Sequence, residues 1–308
     1  MKLITVFTPT YNREKLLERL YKSLLRQTSK NFEWLIVDDD SKDGTEAIVK
    51  KWQKENNIEI RYFKQNHGGK HRALNKAFDL AKGRYFFTVD SDDYLVDNSI
   101  LLIEKWAEEI DELDSIAAVS GLKVHIDGQV CGGETLVSGY IDASDFEREK
   151  YGLLGDKAEV YKTDVIKKYK FPEFDNEYFI TEDYCYMRIA ADGYKIRWYN
   201  EPIYVCEYLE EGLSKTGAND YIGHKNNYRG YSIYIRECIK LKPISQKYLY
   251  LKDYLKTAKK MGLSIKNILC DLDINFIHFI YLLIIICPAG YIKRKVTNLI
   301  YKKRRKNG

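Results

Sequence analysis

Between residues 3 and 121 short apolar runs alternate with longer amphipathic ones. The runs LITVFT (3–8), FEWLIV (32–37), IEIRYF (58–63), RYFFTV (84–89) and SIAAVSG (115–121) have the length and content of buried strands. Between them, residues 13–27, 44–56, 70–82 and 98–111 carry helical patterns. In the first of these, Leu16, Leu17, Leu20 and Leu24 fall on one stripe. Asp43 stands where it can cap the second. Strands that alternate with helices in this way specify an α/β protein with a doubly wound, largely parallel sheet. A chain of 308 residues accommodates one such domain with additions. Past residue 120 the alternation loosens. A hairpin is expected at Asp127-Gly128, then mixed short elements to about 210, and mostly helix from 219 onward.

Charge is distributed unevenly. The net charge is +5, yet residues 291–308 alone hold eight Lys and Arg and no acid, which leaves −3 for the rest. Basicity is therefore a property of the tail, and a nucleic-acid-binding face on the main body is not expected. The six cysteines (131, 185, 206, 238, 270, 287) contain no C-x-x-C and read as reduced thiols. His67, His71 and His224 show no zinc-ligand spacing. Met1-Lys2 leads straight into a strand with no signal-peptide pattern, so a cytoplasmic location is expected. Residues 276–289, FIHFIYLLIIICPA, form an apolar run. It is shorter than the roughly 20 residues a membrane-spanning helix needs. Pro288 ends the run and the basic stretch follows. This combination fits a helix lying in the cytoplasmic leaflet, with Lys293, Arg294, Lys295 and residues 302–306 on anionic headgroups. The other reading is a buried helix followed by a basic tail.

In open α/β sheets ligands sit beyond the carboxyl ends of the strands. Three polar clusters fall there: Thr8-Pro9-Thr10-Tyr11-Asn12, Asp38-Asp39-Asp40 and Asp90-Ser91-Asp92-Asp93. Crowded carboxylates repel one another unless a cation joins them, and hard oxygen donors of this kind suit Mg²⁺ or Mn²⁺ together with phosphates. NHGGKHR (66–72) sets glycines, Lys70, His71 and Arg72 at a helix start, a natural anion site. The chain has neither a G-x-x-x-x-G-K-[ST] loop nor a G-x-G-x-x-G turn.

Three segments in order, ITVFTPTYNR, WLIVDDDSKDGT and YFFTVDSDDYL, resemble the family 2 glycosyltransferases with the GT-A fold. FITEDYCYMRIAADGYKI (179–196) is similar to that family's later acidic motif, so the resemblance covers roughly residues 3–210. GGKHRALNKA and GDKAEVYKTDVIKKYKFPEF further resemble bacterial members that build surface polysaccharides.

The resemblance implies a Rossmann-like sheet and a role for each matching residue. Thr8, Tyr11 and Asp39 would line the nucleobase and ribose pocket. Lys70 and Arg72 would hold the diphosphate. Asp90, Ser91 and Asp92 would contact the nucleotide sugar, with Asp92 and Asp90 as ligands of Mn²⁺ or Mg²⁺. Asp93 would cap the next turn or touch the donor sugar, and Asp183, beside Glu182, would be the general base. It further implies a GT-A domain over 1–215, with a nucleotide-binding half (1–120) and an acceptor-side half (121–215). A helical extension (216–274) and a membrane-associating segment (275–308) follow. The expected partners are a nucleotide-sugar donor, UDP-linked by family habit, a saccharide or lipid-linked acceptor, and the inner leaflet. GLSKTG (212–217) reads as a polar loop able to close over the donor.

Two departures bear on this. Asp40 stands where the family carries a small or amide residue. The Q-x-x-R-W motif is missing, since Tyr194 precedes Arg197-Trp198 where Gln should stand, so processive synthesis is disfavoured. The competing classes are a sugar-phosphate nucleotidyltransferase, a receiver-like domain and a non-catalytic scaffold. The first needs a Gly-rich loop where Thr8-Pro9-Thr10-Tyr11 stands. The second has no use for the Glu182-Asp183 segment.

Overall fold

The structure is a computed structural model, and it describes residues 3–132, 139–206 and 221–286. Apolar runs become strands β1 (Ile4–Thr10), β2 (Phe32–Asp38), β3 (Ile60–Lys64) and β4 (Tyr85–Thr88). Between them lie helices α1 (Glu14–Arg26), α2 (Thr45–Glu55) and α3 (Lys70–Leu80). Next come β5 (Tyr94–Leu95), α4 (Ser99–Ile110) and β6 (Ile116–Val124). They are followed by β7 (Tyr140–Ala143), β8 (Lys157–Lys162), the short α5 (Thr163–Ile166) and β9 (Lys195–Val205).

The sheet runs β3-β2-β1-β4-β8-β6-β9-β5, with β7 paired to β9. The first four strands are mutually parallel, as expected. The fifth strand of the sequence reading, β6, does not follow β4 directly. Antiparallel β8 lies between them, pairing Phe86↔Tyr161 on one side and Val119↔Val160 on the other. The fold is thus a mixed α/β sheet, mostly parallel, with helices on its faces. The expected turn is present: Gly128 (φ 84) lets the His125 N–H meet the Gln129 carbonyl at 2.8 Å.

Burial explains the element choice. Every residue of β2 is buried, as a strand covered on both faces requires. The stripe predicted for α1 packs on the sheet, with Leu17, Leu20 and Leu24 fully buried. Truncating any of them to Ala would cost about 2–5 kcal/mol. Tyr21, Trp34 and Trp52 stack between α1, β2 and α2, with Tyr21 and Trp52 centroids 4.3 Å apart. Arg197 forms a bidentate pair with Asp142 at 2.7 and 2.8 Å, and the Trp198 indole donates to the Ala143 carbonyl. The Arg-Trp pair therefore fastens β9 to β7.

The chain divides into two compact units. The sheet unit ends at Phe171 and resumes at Asp192, and the second unit takes Pro172–Ala191 and the described residues from 221. In the second unit lie α6 (Asp183–Ala191), α7 (Tyr221–Asn226), α8 (Tyr228–Leu241), α9 (Ile244–Lys260), α10 (Ile265–Leu272) and α11 (Phe276–Tyr281). A π-helical turn, Leu282–Ile286, follows α11. Its core joins Tyr231, Ile235, Leu251, Tyr254, Leu272 and Phe279. The Glu177 carboxylate accepts the Arg229 and Gly230 N–H groups, each at 2.8 Å, an anionic cap where α8 begins. Among the described residues no single helix is long and apolar enough to cross a membrane. The pair 265–272 and 276–284, bent by 92°, has the length and composition only when taken together. Pro288, the basic stretch and residues 212–217 lie outside the described residues.

Candidate active site

Parallel pairing puts the polar clusters at one edge. Thr10 is in register with Asp38, and Phe7 with Thr88, so Asp39 and Asp90 leave the sheet on either side of the end of β1.

Asp39 is 5% exposed and accepts four donors. Gln65 Nε2 and the Gly68 N–H reach Oδ1 at 2.8 Å each, the Gly69 N–H reaches Oδ2 at 2.8 Å, and His67 Nδ1 reaches Oδ2 at 2.9 Å. A carboxylate offers about four lone-pair sites. Asp39 thus shapes the glycine loop leading into α3, and would meet a nucleobase only where the Gln65 or His67 side chain gives way. Tyr11 is 43% exposed and stacks on His67 with centroids 4.6 Å apart, an open aromatic platform at the mouth.

Thr8 departs from expectation. Its side chain is fully buried and its hydroxyl accepts the Trp34 indole N–H at 3.0 Å, so it serves the core. The strand parity that turns Thr8 inward toward Trp34 was not weighed in the sequence. Thr10, at the strand end, is 3% exposed, and among the described residues its hydroxyl has no hydrogen-bond partner. It is the better candidate for a ligand contact.

Asp40 turns to the surface. Its carboxylate pairs with Lys42 at 2.7 Å, and its backbone is left-handed at φ 72. A residue with no Cβ, or an amide, occupies that conformation at least cost. This accounts physically for the small or amide residue that the resemblance leads one to expect there. Arg72 donates to the Gly68 carbonyl at 3.1 Å and so stays with the glycine loop.

The cation among the acids is Lys70. Its ammonium donates to Asp90 Oδ1 at 2.6 Å. Burial opposes the Asp90 charge, but Lys70 and, farther off, Lys123 outweigh it and hold the carboxyl below its ordinary value. Asp92 is in the opposite position. Burial, reinforced by the Asp90 charge, raises its carboxyl above the ordinary value. Among the described residues no lysine or arginine pairs with it as Lys70 does with Asp90. Ser91 is buried beside them.

This supplies the test for a metal. Two hard carboxylates project from one loop, and the second is penalised for its charge by the first. A divalent cation held by Asp92 and Asp90 would relieve that penalty. The residues fit Mg²⁺ or Mn²⁺.

Tyr204, on β9, had no role in the sequence reading. It is fully buried, donates from its hydroxyl to Asp93 at 2.7 Å and accepts the Asp90 N–H at 3.0 Å. Lys123 lies 4.4 Å over its ring. One phenol thus holds both ends of the acidic loop. Tyr204→Phe removes a partner from each and should cost about 1–3 kcal/mol of stability. Looser positioning should lower kcat/KM about tenfold. Unchanged steady-state kinetics in the variant would show that the loop is set by other contacts.

Asp183 belongs to the second unit and begins α6. The Tyr234 hydroxyl donates to Oδ2 at 2.7 Å and the Lys242 ammonium to Oδ1 at 2.8 Å. Lys242 is 5% exposed. These two donors fix the carboxylate's orientation. Neither was named from the sequence, because each lies more than 50 residues away with no motif around it.

A mostly parallel sheet with a glycine loop and an aspartate pair at its carboxyl edge is the arrangement of the GT-A fold. Residues 5–132 match the model for glycosyl transferase family 2. Staphylococcus aureus TarS, a poly(ribitol-phosphate) beta-N-acetylglucosaminyltransferase, is 38% identical over 97 residues, covering 31% of this chain and 17% of TarS. TarS 1–349 in complex with UDP-GlcNAc superposes with a TM-score of 0.62 at 23% identity, over 86% of this chain and 77% of that one. At that identity the likeness establishes the fold.

A Campylobacter jejuni GalNAc(5)-diNAcBac-PP-undecaprenol beta-1,3-glucosyltransferase is 26% identical over 265 residues, 84% of this chain and 80% of the relative. A Pyrobaculum calidifontis mannosyltransferase, in complex with GDP-Man and Mn²⁺, gives a TM-score of 0.55 at 18% identity, over 96% of this chain and 86% of that one. In the first curated matches the chain spans between 17% and 37% of the relative's own length.

Proposed function

We propose that this chain is an inverting, metal-dependent glycosyltransferase that moves one sugar from a nucleotide sugar, UDP-linked, to a saccharide or lipid-linked saccharide acceptor in cell-surface polysaccharide synthesis. The observation that carries the reading is the acidic loop: Asp90 held by Lys70, Asp92 left in need of a cation, and the loop clamped at Asp90 and Asp93 by Tyr204. The relatives and their bound nucleotides support the substrate class.

Tyr11 and His67 would stack under the base, and the Thr10 hydroxyl would take a base or ribose contact. The Gly68-Gly69 turn at the start of α3 would face the diphosphate, with Lys70 neutralising part of its charge. Asp90 and Asp92 would hold the Mn²⁺ or Mg²⁺, which when bound stabilises the charge gathering on the leaving diphosphate. Asp183 would accept the proton of the acceptor hydroxyl. The acceptor oxygen bonds to the anomeric carbon as the bond from that carbon to the phosphate oxygen breaks, and the nucleoside diphosphate departs. A single displacement inverts the centre and needs no second carboxylate nucleophile.

UDP with Mn²⁺ should raise the melting temperature of the purified chain, since a ligand at ~100 times its Kd adds about 2.7 kcal/mol. GDP, dTDP and CMP should do so less. The same melting temperature with every nucleotide, with and without metal, would remove the donor-site reading.

The location we propose is the cytoplasmic face of the membrane. In its support, α11 and the following turn expose Phe276, Ile277, Ile280, Tyr281 and Ile284, while Phe279 and Leu282 face the unit's core. The basic residues of 291–308 come next in sequence. The full chain should sediment with anionic phosphatidylglycerol vesicles, and Ile277→Asp with Ile280→Asp should lower the bound fraction about tenfold. Equal sedimentation of both proteins would place the contact elsewhere.

A further inference from the structure

Outside the acidic loop, one cluster of ligand atoms in the sheet unit has no part in the proposed reaction. His125, Cys131 and Cys206 offer one imidazole nitrogen and two sulfurs, all within 4.8 Å of one another. Cys131 and Cys206 are buried, at 2% and 7% exposure. We propose that these three side chains form a structural site for a thiophilic divalent cation, Zn²⁺ or a close analogue, with water in the fourth position.

The backbone builds the cluster around the end of β6. The Cys131 N–H bonds to the Lys123 carbonyl, the Cys206 N–H to the Val124 carbonyl, and the His125 N–H closes the turn with Gln129. Cys131 is further fixed by its neighbour. A Cβ on Gly132 would lie 2.4 Å from the Gly155 Cα, so the two backbones are in direct contact there. The donors therefore stand on three ordered segments that the fold has already brought together.

The sulfur-to-nitrogen distance suits a tetrahedron, and the two sulfurs stand closer together than one requires. With metal–sulfur bonds of about 2.3 Å and metal–nitrogen bonds of about 2.0–2.1 Å, a sulfur-to-nitrogen edge spans about 3.6 Å and a sulfur-to-sulfur edge about 3.8 Å. Cys131 Sγ lies 3.6 Å from His125 Nε2. Cys131 Sγ and Cys206 Sγ lie 2.9 Å apart, so the cation would move them outward by about 0.9 Å. Charge balance favours the site. Two thiolates, a neutral imidazole and a divalent cation sum to zero, which a buried position requires. Lys157 donates to the Cys131 carbonyl at 3.3 Å, a further positive neighbour for a thiolate pair. The donor set is soft, unlike the hard oxygens of Asp90 and Asp92, so the two sites would select different metals. A disulfide between the two cysteines would use the same sulfurs but not the histidine.

The site's consequence is local. Cys206 follows Val205, which pairs with Tyr94 beside the acidic loop, and Tyr204 is the loop's clamp. Metal here would pin the end of β9.

The test uses the full chain without a polyhistidine tag, purified under reducing conditions from zinc-supplemented medium and dialysed. Elemental analysis should find about one zinc per chain. Cobalt replacement should give a thiolate-to-metal charge-transfer band in the near ultraviolet. Cys131→Ser and Cys206→Ser should lose both. His125→Gln leaves the buried thiols in place and guards against misfolding of the serine variants. It should weaken zinc binding at least tenfold. Stripping with a chelator should lower the melting temperature of the wild type and leave the serine variants unmoved. Zinc at background in the wild type overturns the proposal. So does zinc retained by all three variants, or a Cys131–Cys206 disulfide in the reduced preparation.

Discussion

Asp92→Asn should lower sugar transfer about 10²–10³-fold and at the same time stabilise the metal-free protein. If Asp92 holds the metal as proposed, its loss removes several kcal/mol of charge stabilisation from the transition state, which sets the size of that fall in kcat. Stability moves the other way because of the sign of the Asp92 shift. Burial and the Asp90 charge raise its folded-state value, so the folded chain holds that proton more tightly than the unfolded chain does. The ionised form is therefore a cost to folding. The cost is absent at a pH below the ordinary carboxylate value, grows as pH rises through the folded value, and is complete at neutral pH. Asparagine removes it. In EDTA at about pH 7.5 the variant should be more stable by about 1 kcal/mol, some 2–4 °C, and at about pH 3.5 the two proteins should melt together. Calorimetry at both values decides. A variant less stable than wild type at neutral pH without metal would mean that Asp92 makes a favourable contact of its own, and that its charge is not held in reserve for a cation.

Asp183→Asn should lower kcat by about 10²–10⁴-fold and leave nucleotide affinity as it was. The amide keeps an oxygen for the Tyr234 hydroxyl or for Lys242, so the local fold persists, but it cannot take up a proton. Lys242→Met separates orientation from basicity. It deletes one of the two donors that set the carboxylate's angle, leaves the base in place, and should cost about tenfold in kcat. Measuring kcat and donor Kd for both variants distinguishes the roles. An Asp183→Asn enzyme within about threefold of wild type would move the base to another residue, with the buried acids of the sheet unit as the next candidates. Among these is Glu159 on β8, whose carboxyl burial pushes up to about 7 against the pull of Arg148 and Lys123.

The parallel half of the sheet was legible because its signal is local. Leu17, Leu20 and Leu24 repeat at helical spacing, and each strand is a continuous apolar run between turn residues, so residues 4–88 fall close to where they were expected. The insertion of β8 was not legible. Lys157–Lys162 is short, with a buried lysine at one end, and its partners Tyr85–Phe87 and Ala118–Leu122 are distant in sequence. At the site, sequence located the acidic loops but not what each acid holds. Asp39 turned out to organise its own loop, Thr8 to serve Trp34, and Lys70 to be the cation beside Asp90. The partners that sequence missed, Tyr204, Lys242 and the cysteine–histidine cluster, share one property. Tyr204, Lys242 and, within the cluster, Cys206 act across a long sequence separation, where no periodicity or motif links the two ends.

The clamp on the acidic loop has a consequence for the ribosome. Tyr204 is 114 residues downstream of the Asp90 N–H it accepts. At about 5–20 residues per second, that interval takes about 6–23 s of synthesis. During it β1 to β4 have already been made and Lys70 is present for Asp90, but the loop still lacks the contacts of Tyr204. The acidic loop thus gains its phenol contacts, to the Asp90 N–H and the Asp93 carboxylate, only once β9 has been made.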